Sequence, residues 1–308
     1  MIAFVFPGQG SQYIGMGKEL YDEFSVAKET FQEANDVLGF DLSALCFEGE
    51  QSELSLTTNA QPALLTTSIA CLRVLENETG LKPDFVAGHS LGEYTALVAN
   101  GAIKLADAVQ TVRKRGEFMQ EAVPVGLGAM AAVLGLEKEK VEEICSQVSQ
   151  NGMIASPANL NAPGQIVISG NKEAIDQAAE IAKSEGAKRV VPLDVSAPFH
   201  CALMQPAADK LSEVLDHIVV SDMNASLVAN CTASVINDSS MVKELLITQV
   251  TSPVRWFESV QVLKNEGCDK YIEIGPKNVL AGLIKRTLSD VSVSNFEKIS
   301  QLESIKNA

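Results

Sequence analysis

An unbroken apolar run over residues 2–6, stopped by Pro7-Gly8, predicts a strand buried on both faces. A glycine-rich loop, Gly8-Gln9-Gly10-Ser11-Gln12, follows it, and helical spacing then runs over residues 17–35. A second helix is predicted over 59–76, with Pro62 near its first turn, where proline's missing N–H is tolerated. Residues 83–87 form another short apolar run, which enters Gly88. Helical patterns resume over 93–98 and 105–119. Strands alternating with helices predict a parallel α/β sheet.

The rhythm changes near Gly126. Residues 128–135 read as a strand and 137–150 as a helix. Two strands, 153–159 and 165–169, flank the turn Asn161-Ala162-Pro163-Gly164. A helix over 172–185 carries Ala and Ile on one face, and a strand over 188–193 closes the series. The order β-α-β-β-α-β is the ferredoxin-like pattern. Helix and strand signals return after Pro198, so this unit sits inside a larger one. The expected fold is therefore an α/β-hydrolase-like parallel sheet core, residues 1–125 and 197–308, with an inserted ferredoxin-like subdomain over 126–196.

Composition narrows the function classes. Of 308 residues, 46% are apolar and 20% charged, which is globular. A net charge of −15 argues against broad binding to nucleic acid or acidic membranes, since both need basic surface. No apolar stretch approaches the roughly 18 residues of a membrane helix, and residues 1–6 lack the basic start of an export signal. A cytoplasmic protein is expected. The six cysteines show no C-x-x-C spacing, which excludes zinc-finger and dithiol redox motifs and predicts buried thiols.

The chemistry centres on Gly88-His89-Ser90-Leu91-Gly92, a G-x-S-x-G string. A nucleophile on a sharp strand-to-helix turn needs small neighbours so that the chain can pass closely, and the helix that follows offers N–H groups to an oxyanion. An apolar run precedes this string and a helical pattern follows it, as the motif requires. The plainer reading is a tight turn with an incidental serine.

Serine needs a base. Three histidines exist. His89 adjoins the serine and its side chain should diverge from it; His217 follows a polar helical stretch and should be solvated. His200, in Ser196-Ala197-Pro198-Phe199-His200, remains. No Asp or Glu stands out as its orienter, and Asp194 is too near in sequence to be assigned by pattern. Arg113-Lys114-Arg115 reads equally well as a basic helix end and as a substrate cation.

Further strings complete the picture: Phe6-Pro7-Gly8-Gln9-Gly10-Ser11-Gln12, Arg115-Gly116-Glu117-Phe118-Met119-Gln120, Gln249-Val250-Thr251-Ser252-Pro253-Val254-Arg255-Trp256 and Glu273-Ile274-Gly275-Pro276. In this order, and nearly end to end, the chain resembles the malonyl-CoA:carrier-protein transacylases of bacterial type II fatty-acid synthesis and the acyltransferase domains of polyketide synthases. The resemblance implies that Ser90 carries the acyl group and that His200 acts as base and then acid. It implies that the backbone carbonyl of Gln249 orients His200, and that the N–H groups of Gln9 and Leu91 hold the oxyanion. Arg115 would bind the malonyl carboxylate, with Asn159, Gln61 and Phe199 near the pocket. Malonyl-CoA and a phosphopantetheine-bearing acyl carrier protein would be substrates, with no metal or other cofactor, and the protein would be a monomer. Lys188-Arg189 and Lys285-Arg286 are candidates for docking an acidic carrier.

Two rival readings follow from the same residues. A hydrolase uses the same serine geometry but has no need of a buried cation. A nucleotide-binding loop fails on Tyr13, which stands where G-x-G-x-x-G requires its third glycine, and on Gly17-Lys18-Glu19, which lacks a P-loop hydroxyl.

Overall fold

A computed structural model describes residues 1–306. Two sheets organise it. The first has six strands: β1 (Ile2–Phe6), β2 (Phe85–Gly88), β7 (Ser226–Val228), β8 (Val235–Ile236), β9 (Lys270–Ile274) and β10 (Ser292–Phe296). The second has four: β3 (Gly128–Leu134), β4 (Ala155–Ala162), β5 (Gln165–Asn171) and β6 (Arg189–Pro192).

The large sheet runs β10-β9-β1-β2-β7-β8. Its first five strands are parallel and β8 returns antiparallel to β7. Both faces are covered, which explains why β1 is apolar at every position. Alternation along the strand then divides the core. Phe4 and Phe6 face the helices Thr57–Thr79, Leu91–Ala99 and Leu105–Glu121; Ala3 and Val5 face Trp256–Asn265 and Val279–Thr287. In register, Phe6 pairs with Gly88 and Val5 with Glu273, so the parallel strands end together. Loops leaving these carboxyl ends share one crevice, where α/β sheets place their ligands.

The small sheet, ordered β4-β5-β3-β6, is antiparallel throughout. With the helices Lys138–Val148 and Lys172–Ser184 on one face it has the ferredoxin-like arrangement and a core of its own. It is stitched to the large body at β4: Leu160 N–H donates to Val254 O and Val254 N–H to Ala158 O, both at 2.8 Å.

Several sequence expectations shift. The helix expected over 17–35 is two, Lys18–Glu23 and Ser25–Leu38, because Phe24 is extended (φ −121°) at the joint. The helix expected from 59 starts at Thr57, so Pro62 lies inside it rather than in its first turn. Leu42–Glu48 and Gln51–Ser55 are short helices that the sequence pattern missed. β4 continues through Ala162, so the expected four-residue turn shortens to Pro163-Gly164. The six cysteines are free thiols, and all but Cys231 are buried. No helix among the described residues is long and apolar enough to cross a membrane.

Candidate active site

β2 ends at Gly88 and the helix Leu91–Ala99 begins two residues after His89. The turn between them forces Ser90 to φ 55°, ψ −107°, a conformation that costs a non-glycine residue about 1–3 kcal/mol. Close backbone packing makes the turn possible. A Cβ at Gly88 would overlap the Gly92 carbonyl, and one at Gly92 would overlap Phe6 O. Gly88→Ala is therefore expected to destabilise the fold by about 3 kcal/mol in denaturant melts. Gly282→Ala, on a helix with open space around it, is expected to be neutral or stabilising by about 0.5–1 kcal/mol.

The turn is also tied from a distance. Asn230, just past β7, accepts from Ser90 N–H (2.7 Å) at Oδ1 and donates from Nδ2 to Gly88 O (2.6 Å). Nothing in its sequence surroundings marks it, because its partners are backbone groups about 140 residues away. With Ser90 N–H so occupied, the next N–H along, that of Leu91, is free of protein acceptors among the described residues, as is that of Gln9. These are the two groups expected to hold an oxyanion.

Ser90 Oγ lies 2.7 Å from His200 Nε2. His200 is 3% exposed, and its Nδ1 stands 2.9 Å from Gln249 O. A carbonyl only accepts, so Nδ1 carries the proton and Nε2 presents its lone pair to the serine hydroxyl. Burial, with the Arg115 charge close by, holds the His200 pKa down at about 3. The imidazole is thus a neutral base across the physiological range. An unburied base of pKa 6.5 would keep only about a tenth of its neutral form at pH 5.5. The rate at which a fluorophosphonate modifies Ser90 is accordingly expected to change less than about twofold between pH 8 and pH 5.5. Stability runs the same way. The unfolded histidine takes up a proton as pH falls through about 6.5, so His200's contribution is full above that value and is lost on the way down to about 3.

Arg115, on the helix Leu105–Glu121, is 2% exposed. Its Nη1 donates to Gln61 Oε1 (2.7 Å), and its Nη2 donates to Gln249 Oε1 (2.9 Å) and Ser90 Oγ (3.1 Å). The guanidinium also lies 5.5 Å from the Tyr94 ring centre. Among the described residues it makes no ion pair, and the hydrogen bonds of this buried cation beside Ser90 all go to neutral oxygens, with buried Glu93 the nearby acidic group that acts on its charge. That leaves a place for an anionic group.

A cavity of about 440 Å³ opens over these groups. Ser90, His200, Arg115, Gln9, Gln61, Asn159 and Phe199 line it. Leu91 and Gln249 stand behind it, both buried. Asp194 also lines it, but His200 Nδ1 takes the carbonyl of Gln249 instead. His89 turns away from His200: its Nε2 meets Asn161 Oδ1 at 2.8 Å and its ring packs near Trp256. His217 is exposed. Sequence reasoning also passed over Glu93, fully buried one turn beyond the serine, although an acidic residue within the apolar stretch Leu91–Ala99 was a visible signal.

The comparisons with known proteins agree with one another. A family model described as an acyl transferase domain matches residues 3–305. The malonyl CoA-acyl carrier protein transacylase of Bacillus subtilis is 55% identical over 301 residues, covering 97% of this chain and 95% of its own. The protein of the same name from Escherichia coli K12 is 45% identical, covering 97% of each chain. Among solved structures, the Coxiella burnetii malonyl CoA-acyl carrier protein transacylase superposes with a TM-score of 0.97 at 44% identity, covering 99% of this chain and 96% of that one. A type II polyketide acyl-carrier protein in complex with its malonyl-transacylase matches with a TM-score of 0.96 at 45% identity, covering 99% of each chain.

Proposed function

Since the chain belongs to the acyl transferase family, we propose that it moves a malonyl group from coenzyme A to the phosphopantetheine thiol of an acyl carrier protein, through an ester on Ser90. His200 Nε2 takes the proton of Ser90 Oγ as the oxygen attacks the thioester carbonyl. The oxyanion falls between the N–H groups of Gln9 and Leu91. Collapse breaks the carbon–sulfur bond, and the departing thiolate takes the proton from His200. A carrier thiol then gives its proton to His200 and attacks the ester, and the steps reverse to free Ser90. Serine, imidazole and backbone donors account for every bond made and broken, so no further cofactor is required.

One observation carries the choice of acyl group: Arg115 is buried without an ionic partner, and its Nη2 is 3.1 Å from the nucleophile. In a malonyl thioester a single CH₂ separates the reacting carbonyl from the free carboxylate, so a cation beside Ser90 is where the far end falls. A planar guanidinium suits a carboxylate. A simple hydrolase would place apolar or neutral groups there. Asn159, Gln61 and Phe199 complete the wall around the acyl group.

Intact-protein mass spectrometry after mixing with malonyl-CoA tests this reading. The expected result is the mass of one malonyl group on the Ser90 peptide, discharged by carrier thiol faster than by water. Free malonate as the main product would instead support the hydrolase. We further infer a monomer that works in the cytoplasm, with residues 126–196 as a subdomain inserted between 1–125 and 197–308. Lys188, Arg189, Lys285 and Arg286 are exposed and offer local positive charge to an acidic carrier.

A further inference from the structure

Resting on that reading, we propose that Glu93 is a positioning residue for the carboxylate end of the acyl group: it accepts from the Gln249 side-chain amide and so fixes which end of that amide faces Arg115. A glutamine amide is nearly symmetric in shape and opposite in polarity at its two ends, so its surroundings decide its orientation. Here Nε2 sits among acceptors: Glu93 Oε2 at 2.6 Å, Ser90 O at 3.0 Å and Asn230 Oδ1 at 3.5 Å. Glu93 is the shortest of these contacts. The arrangement leaves Oε1 facing Arg115 Nη2 at 2.9 Å. Turned over, the amide would set Nε2 against the guanidinium, donor to donor, and Oε1 against Glu93. Arg115 would then lose one of the three neutral oxygens it donates to.

Glu93 has no other evident work. It is 0% exposed, and its remaining contact is Oε2 with Asn230 N–H at 3.2 Å. Its Oε1 is buried without a hydrogen-bond partner. A carboxyl group in that state is a cost to the fold, and an apolar side chain would suit the helix better. Its hydrogen bonds lead to the elbow and to Gln249 and, through Gln249, to Arg115, whose charge also acts on it directly. Burial pushes its pKa up to about 7, against the Gln249 and Asn230 hydrogen bonds and the Arg115 charge, which lower it. An amide in its place keeps the acceptor.

The test is the ratio of kcat/KM for malonyl-CoA to kcat/KM for acetyl-CoA, the same thioester without the carboxylate, in the full chain. Glu93→Met, of similar size but with no acceptor, is expected to lower the ratio at least tenfold, chiefly by raising KM for malonyl-CoA. Glu93→Gln is expected to restore it to within about threefold of the unsubstituted chain. If Glu93→Met does not fold, Glu93→Asp, whose carboxylate stops one methylene short, carries the same expectation. Equal losses on both thioesters would mean a merely structural role and overturn the proposal; so would a glutamine as damaging as the methionine or aspartate. Failure of the parent reading would show earlier and differently, as no malonyl adduct on Ser90 in the unsubstituted protein.

Discussion

Arg115→Ala is expected to invert the acyl preference of the enzyme. Malonyl transfer should fall about 10³-fold in kcat/KM, while acetyl transfer should fall far less. The magnitude follows from burial. A carboxylate entering the cavity sheds its water and recovers that cost only through the guanidinium. Removing one partner of a buried pair costs about 3–5 kcal/mol, and about 4 kcal/mol is a thousandfold. An acetyl group brings no charge and needs no cation. The substitution also removes the one hydrogen bond that Ser90 Oγ makes besides His200 among the described residues, which sets a modest loss common to both thioesters. Steady-state kinetics with the two coenzyme A esters, alongside a thermal melt to show retained folding, would check this. A parallel fall in both would mean that Arg115 serves the fold and not the substrate.

Ser90→Ala is expected to abolish the covalent malonyl adduct and to lower transfer by at least about 10⁴-fold, since the reaction loses its nucleophile. His200→Ala should be milder, about 10³-fold, within the range for a lost general base. In that variant Ser90 Oγ keeps its contact with Arg115 Nη2, but no group within reach can take its proton. The double variant should be no slower than Ser90→Ala alone, because the two residues act as one unit. Single-turnover acylation followed by mass spectrometry distinguishes all three. An adduct persisting in Ser90→Ala would move the chemistry to another residue.

How much of this was legible beforehand depended on whether function rested in side chains along one stretch of chain. β1 was read residue for residue, since a run of apolar positions buried on both faces has one simple interpretation. The small sheet was legible in its element order, with ends shifted by at most three residues. Ser90 could be found because strand, glycine, serine, glycine and helix follow one another without a break. Elimination among three histidines singles out His200, and the fold brings that residue to 2.7 Å from Ser90 Oγ. Gln249 could not be found from the residues: its role toward His200 belongs to a backbone carbonyl, and any residue type carries one. Resemblance alone pointed to it. Asn230 was lost for a related reason. Its partners are main-chain groups brought near by the pairing of β2 with β7, and that pairing has no local signature. Pro62 falls inside its helix because the helix begins at Thr57, two residues before the expected start at 59.

The cavity has two owners. Gln9 and Ser90 hang from loops at the carboxyl ends of β1 and β2, whereas Met130, Asn159, Leu193 and Val195 reach it from the antiparallel sheet and its exit, the segment that also leads into His200. The serine turn and much of the cavity wall are thereby held on separate pieces of scaffold, joined by the β4 stitch to Val254. Evolution could redraw the contour presented to an incoming chain by trading residues on the smaller piece, at no risk to the strained serine opposite. A lineage seeking bulkier or differently decorated building blocks has that wall as its natural workshop.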